Sequence, residues 1–189
     1  MEYFDVLTPE GEPAGFKKER HQVHKDGDWH GASRIWLMRS KKLGDGTRKP
    51  QVLLQQRSPE KDSYPGMWDV SAAGHVSAGG NYLETAVRET EEEIGVKLEP
   101  KELEFLFSLR SETVWSYHGE TYNDREFHWV YLVKKNVDPA RLVLQKEEVA
   151  QVRWVDASEL YRELREGKIV SCIHIEEFEK LYPILCARA

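Results

Sequence analysis

Three glutamates, Glu89, Glu92 and Glu93, stand within five residues of one another in a segment with helical periodicity, and they are the groups best suited to chemistry. Across residues 81–94, Leu83, Ala86, Val87, Thr90 and Ile94 recur at i, i+3, i+4, i+7 and i+11, which places them on one stripe of a helix. The glutamates then share the adjacent side, because residues three and four apart on a helix are neighbours. Carboxylates so close repel one another by about 0.2–0.5 kcal/mol per pair on a solvated helix. A hard divalent cation reverses the sign of that term, and magnesium takes a few carboxylates, several waters and phosphate oxygens as ligands. A run of charge on its own is most often a solvated face, so the neighbouring residues have to decide.

Gly74, Arg88-Glu89, Glu92-Glu93, Gly95 and Val96 carry the spacing of a glycine, then Arg-Glu, Glu-Glu and Gly over about 23 residues. This pattern resembles the Nudix box, and the preceding Tyr64-Pro65-Gly66-Met67-Trp68-Asp69 is similar to the Pro-Gly-x-Trp segment that leads into it. The resemblance implies an α/β fold, an α/β/α sandwich with a mixed β-sheet, over roughly residues 30–165. It also implies a magnesium-dependent hydrolase, with manganese as the alternative ion, that cleaves a diphosphate linkage in a nucleoside diphosphate derivative or related organic pyrophosphate. Carried over residue by residue, Glu89, Glu92 and Glu93 would hold the metal, with the Gly74 carbonyl and His75 as further ligands. Arg88 would orient one of these carboxylates on the cofactor side.

Two departures matter. The box has a glutamate where this chain has Gly80. Glu84 lies four residues before Arg88 and Glu91 three after it, so both are expected to pair with the arginine, Glu84 taking over the role of the missing acid. Second, Trp68 to His75 (WDVSAAGH) is similar to the Trp…Cys-Gly-His segment of isopentenyl diphosphate isomerases, with Ala73 in place of their catalytic cysteine. Those enzymes bind metal through upstream histidines, the Gly-His histidine and a Glu-x-Glu pair. By that resemblance His24, His30, His75, Asp124 and Glu126 would form a second metal site. The residues themselves leave open that His24 and His30 are loop and strand-edge groups with ordinary hydrogen bonds. An isomerase-like enzyme and a non-catalytic ligand-binding domain are the competing readings.

Hydrolysis also needs a general base. Glu126, on a strand, and Glu148, ahead of the Arg153-Trp154 strand, are level candidates, with Glu147 beside them, so the expected catalytic set is Glu92, Glu93, Glu126 and Glu148. Arg57 and Lys61 follow a strand beside the box and are expected to contact phosphate. Trp115, Tyr117, Tyr122 and Trp129 could stack on a base or prenyl group. Trp129, in an aromatic strand, is expected in the core, and Trp115 and Tyr117 at a substrate or dimer contact.

The elements that must position these groups follow from periodicity. Phe4–Leu7, Ser33–Met38, Gln51–Gln56, Phe105–Leu109, Phe127–Val133 and Val152–Val155 are strand candidates, the second and third joined by a hairpin connection (KKLGDGTRKP). Besides the glutamate helix, one helix is expected from an N-cap at Asp156 to Gly167, and another over Ile175–Leu185. Length and the absence of any linker predict one domain over 1–189, with an N-terminal extension of edge strands (1–30) and a C-terminal helix (168–189).

Net charge is −6, which speaks against a nucleic-acid-coating surface but not against a small phosphorylated substrate reached through a metal. No apolar run approaches a bilayer span, and Met1–Asp5 lacks the start of a secretory signal, so a cytoplasmic protein without membrane contact is expected. Cys172 and Cys186 have no metal-ligand spacing and are expected as reduced, partly buried thiols. A homodimer is a family-level expectation.

Overall fold

Apolar side chains alternate between two cores along the central strands, and this alternation builds the molecule. The computed structural model describes residues 1–117 and 119–189; the side chain of Tyr117 lies outside the described residues, and with it the expectation placed on that ring. In β3 (Trp29–Lys42), Trp36 and Met38 enter one core while Ile35 and Leu37 enter the other. The same split separates Val52 and Leu54 from Leu53 in β4 (Arg48–Arg57), and Val130 and Leu132 from Tyr131 and Val133 in β8 (Glu120–Lys134). Strands buried on both faces need helices on both faces. One core is closed by α3 (Ala157–Arg165) and α4 (Ile175–Ala187), the other by α2 (Tyr82–Ile94). The layers are those of an α/β/α sandwich.

The sheet is mixed. β3 runs parallel to β8 from Trp29↔Arg125 to Met38↔Lys134. It pairs antiparallel with β6 (Ala72–His75) along its first half and with β4 beyond Met38. β7 (Glu104–Tyr117) forms a long hairpin with β8, and β9 (Val149–Asp156) and the short β5 (Trp68–Asp69) flank β4. β1 (Tyr3–Leu7) and β2 (Pro13–Glu19) form an N-terminal hairpin joined to β3 at Leu7↔Trp29. Between them and β3 sits α1 (Arg20–Asp26), ended by Gly27 at φ 70°.

Several elements differ from the sequence reading. β7 and β8 extend beyond the expected Phe105–Leu109 and Phe127–Val133 into the polar residues between them, because cross-strand pairing satisfies the backbone whatever the side chains are. β2 and α1 were not legible, since seven residues with one buried aliphatic side chain, Val23, carry little helical periodicity. Asp156 does not cap α3 with its side chain; its Oδ1 instead accepts from Gln51 Nε2 at 2.5 Å. Trp129 is 37 % exposed rather than core, because its face of β8 runs past the start of α2, where Tyr82 stacks on it at 4.4 Å. Cys172 is half-buried as expected, but Cys186 is exposed on α4. Among the described residues no helix is long and apolar enough to cross a membrane.

Candidate functional site

One cavity of about 230 Å³ is lined by Glu89, Glu92 and Glu93 of α2, by Gly74 and His75 of β6, and by Asp124, Glu126 and His128 of β8. Arg20, Arg34, Arg57, Lys61, Tyr64 and Glu148 complete much of its wall. It therefore gathers the expected catalytic set and the glutamates, Gly74 and His75 expected to hold the metal, while His24 and His30 do not line it.

The glutamate side is built by close approach. A Cβ at Gly74 would lie 2.2 Å from the Glu89 carboxyl carbon, so only glycine lets α2 press its acid against β6. Arg88 pairs with Glu89 at 2.7 Å and with Glu92 at 2.8 Å. Glu93 is buried, and its Oε2 accepts from Ala73 N at 3.1 Å and Gln55 Nε2 at 3.2 Å. Burial, partly offset by Arg88, raises the Glu89 carboxyl to about 7. Burial and then repulsion from Glu89 raise Glu93 to about 8. Carboxylates forced together in this way, all offering oxygen, suit a hard divalent cation.

The loop before α2 is not tied down as expected. Neither Glu84 nor Glu91 pairs with Arg88 among the described residues; Glu91 meets Lys97 at 3.3 Å, and Arg88 is engaged by Glu89 and Glu92. Instead Asp5 of β1 accepts from Gly79 N at 2.7 Å, Ala78 N donates to Tyr3 O at 2.8 Å, and Asn81 caps α2 through Glu84 N at 2.9 Å. A side chain at Gly80 would begin 2.9 Å from the Ser77 carbonyl.

His75 turns away from the box and joins a second cluster. One ligand atom each of His24, His30, His75 and Asp124 lies within 4.8 Å of all the others. His24 Nε2 and His30 Nε2 each lie 3.5 Å from Asp124 Oδ1, and among the described residues these three buried atoms find no hydrogen-bond partner. Phe4 covers the cluster, its ring 5.1 Å from His30 and 4.7 Å from His75. Burial and the neighbouring imidazoles lower His24 to about 3, and burial with His75 lowers His30 to about 4. The rings are thus kept neutral, which is the form that binds a metal. His24 is a buried residue of α1 rather than a loop group, and unpartnered nitrogens beside an acid are a donor set that a cation would satisfy.

Glu126 stands between the two clusters. Its Oε1 lies 3.1 Å from His75 Nε2 and 3.9 Å from His30 Nε2, and its Oε2 lies 2.7 Å from His128 Nε2. Burial alone would raise Glu126, but His128 and His75 hold it well below the usual carboxylate range. Asp124 is raised, first by burial and then by the charge on Glu126. Glu148 pairs with Lys61 and lines the cavity, whereas Glu147 is exposed.

Arg57 is a partial correction. It lines the cavity, but its guanidinium is occupied: Nε and Nη2 donate to Ser63 O at 3.1 and 3.0 Å, and Nη1 lies 3.5 Å from Asp69. It braces a loop rather than presenting itself to phosphate. Trp115 stacks on Tyr122 at 4.4 Å beside an adjoining cavity. Groups not anticipated are Arg20, Arg34, Tyr64, His128 and Glu177. A basic residue inside the apolar run Ser33–Met38 was the available signal for Arg34.

Comparison with known proteins accords with this geometry. The NUDIX domain model matches residues 33–171. Over 99 % of its length the chain is 41 % identical to Nudix hydrolase 3 of Arabidopsis thaliana, of which it spans 24 %. It is 33 % identical to an uncharacterized Nudix hydrolase of Clostridium acetobutylicum, with 85 % of the chain and 73 % of that protein covered. Among solved structures, a Deinococcus radiodurans protein, DR0079, superposes with a TM-score of 0.68 at 19 % identity, covering 96 % of this chain and 99 % of that one. A Caenorhabditis elegans Ap4A hydrolase complex gives 0.53 at 20 % identity over 84 % of this chain and 98 % of that one. The fold and the family model agree, and the chain belongs to the Nudix hydrolase family.

Proposed function

We propose that the chain hydrolyses a diphosphate linkage in a small organic pyrophosphate, using a divalent cation. The observation that supports this most directly is that acids and bases share one cavity. Carboxylates of α2 face it from one side, and Arg20 and Lys61 line it with them. Glu89, Glu92 and Glu93, with the Gly74 carbonyl, would hold magnesium or manganese. Such an ion, when bound, neutralises charge developing on the phosphate and lowers the pKa of coordinated water. His24, His30, His75 and Asp124, a nitrogen-rich set, would hold a second cation of softer preference, with Glu126 beside it.

The chain's own residues divide the remaining work. Both oxygens of Glu126 already face histidines, so it orients the histidine cluster. Glu148 lies close enough to Glu93 to help raise it, reaches the cavity, and is the group best placed to take a proton from an attacking water. Lys61 orients Glu148 by its ion pair. Buried Ser33 ties β3 to the start of α2 through Tyr82 O at 2.7 Å, keeping the glutamate face in register with the strands.

The histidine cluster supports placing the chain in an isomerase-related branch of the family. Isomerase chemistry itself lacks its acid: Ala73 carries no thiol, and the Cys172 sulfur is engaged with the Trp68 carbonyl at 3.6 Å. Phosphate or nucleotide release from a panel of nucleoside diphosphate derivatives and prenyl diphosphates, with magnesium or manganese, tests the proposal. Activity abolished by Glu92→Gln and Glu93→Gln, and lowered far more by Glu148→Gln than by Lys61→Gln, is expected. A wild type inert across the panel overturns it.

A further inference from the structure

Tyr64 has φ 52°, the one positive value at a non-glycine residue among those described. A bulky side chain disfavours that region, and the following residue is Pro65, whose ring pushes its predecessor towards extended backbone. Two local rules are broken at one residue, and such a conformation persists only where the surroundings impose it.

They do so here. Arg57 grips Ser63 through its carbonyl and through Oγ at 3.1 Å. Gln56 Nε2 donates to Gly66 O at 2.8 Å, Arg57 N donates to Met67 O at 2.9 Å, and Met67 N donates to Tyr64 O at 3.3 Å. The loop is clamped on both sides of Tyr64, by groups that the rest of the site does not use.

This clamp delivers a phenol. The Tyr64 side chain belongs to neither of the two large apolar cores. It lines the cavity instead, half-buried, next to the Thr113 hydroxyl of β7 and within electrostatic reach of Asp124 and Glu126. Burial raises the phenol above its ordinary value, so it remains a hydrogen-bond donor. Glycine would relieve the strain, and the same loop uses it two residues later at Gly66, with φ 71°. The tyrosine is explained by what its hydroxyl can touch.

We propose that Tyr64 contacts the substrate, donating its phenolic hydrogen to a non-bridging oxygen of the bound diphosphate. The proposal rests on the reading of the cavity as a diphosphate site. Three full-length proteins separate the alternatives: wild type, Tyr64→Phe and Tyr64→Gly. Each is measured for thermal stability, for calorimetric binding of methylenebisphosphonate with magnesium, and for kcat and KM on the best compound of the panel.

Tyr64→Phe should keep the wild-type melting temperature and lose about tenfold in bisphosphonate affinity, the scale of one hydrogen bond to a charged group. Tyr64→Gly should melt higher than wild type yet lose at least as much affinity. A structural role predicts the reverse, with Tyr64→Phe unchanged in binding and turnover, and that result overturns the proposal while leaving the diphosphate reading intact. A wild type that neither binds the bisphosphonate nor turns over any compound overturns both.

Discussion

His128 Nε2 lies 2.7 Å from Glu126 Oε2, while Nδ1 of the same ring faces Glu177 Oε2 at 4.0 Å. One imidazole thus stands between a carboxylate of the C-terminal helix and one of the cavity, hydrogen-bonded on the Glu126 side alone, its Nδ1 finding no hydrogen-bond partner among the described residues. Glu177 is completely buried, and Arg34 Nε and Trp36 Nε1 each donate to it at 2.7 Å. Arg34 also reaches Asp69 at 3.1 Å. α4 thus docks by an internal ion network as well as by its apolar stripe, and His128, beside that network, holds the oxygen of Glu126 that is turned from the histidine cluster.

Breaking that network from one end leaves a buried charge unpaired. Glu177→Gln should destabilise the fold by about 3–5 kcal/mol, because Arg34 keeps its charge and loses its nearest counter-ion. Replacing the pair together, Arg34→Met with Glu177→Met, should cost clearly less than the sum of the single changes. Urea unfolding of wild type, Arg34→Met, Glu177→Met and the double variant measures the coupling, and additive single effects would show that the pair is not a unit.

The glutamates and the histidines give the metal-free protein a specific pH signature. Glu89 and Glu93 have folded values of about 7 and about 8. Their unfolded values lie near 4.3. Between those limits the unfolded chain binds fewer protons, so these acids lose stability as pH rises. His24 and His30, at about 3 and about 4 in the fold, act oppositely, costing stability as pH falls below about 6.5. Above about 6.5 the histidine contribution has ended and the glutamate slope remains. Without metal, the melting temperature should therefore decline from pH 6.5 to 8. Magnesium should remove the decline, because it binds the deprotonated acids. Glu93→Gln should flatten it without metal; a melting temperature that rises across this window contradicts the assignment.

Gly74 sets how near the acids can come. In Gly74→Ala the new Cβ would fall 2.2 Å from the Glu89 carboxyl, and Glu89 would have to swing away. Overpacking should cost about 1–3 kcal/mol. Divalent affinity should drop by about 10–100-fold, the scale seen when groups supporting a metal ligand are disturbed. Titration with manganese followed by electron paramagnetic resonance reads this directly, and unchanged affinity would remove Gly74 from the site.

What the sequence disclosed depended on how far apart the partners lie. The stripe from Leu83 to Ile94 and the acids beside it are local, so helical spacing alone placed them, and Ala86, Thr90 and Ile94 are buried as that stripe requires. The order of His24, His30, His75, Asp124 and Glu126 was readable, but their convergence needed α1, too short to announce itself. The Arg34–Glu177 pair joins residues 143 apart, and the brace of Arg57 on Ser63 depends on a loop conformation. Neither leaves a periodic trace. The engagement of Arg57 by Ser63 and Asp69 was unreadable for that reason.

The anchoring of the box loop brings local and distant effects into direct competition. The expectation was that Glu84 on the same helix replaces the missing acid at Gly80. The structure gives the task to Asp5, seventy-four residues before Gly79, whose amide it accepts at 2.7 Å. Asp5→Ala should leave that exposed amide to water, costing about 0.5–1.5 kcal/mol and loosening α2 at its N-terminus. Glu84→Gln should be nearly silent. Adding the family's acid should not help, because a side chain at 80 starts 2.9 Å from the Ser77 carbonyl and the backbone must move to admit it. Gly80→Glu should thus destabilise both wild type and Asp5→Ala. Hydrogen exchange at Gly79 and Glu84 distinguishes the two anchors: Asp5→Ala should speed exchange at Gly79 while Asn81 still protects Glu84. Rescue of Asp5→Ala by Gly80→Glu would restore the helix-based account instead.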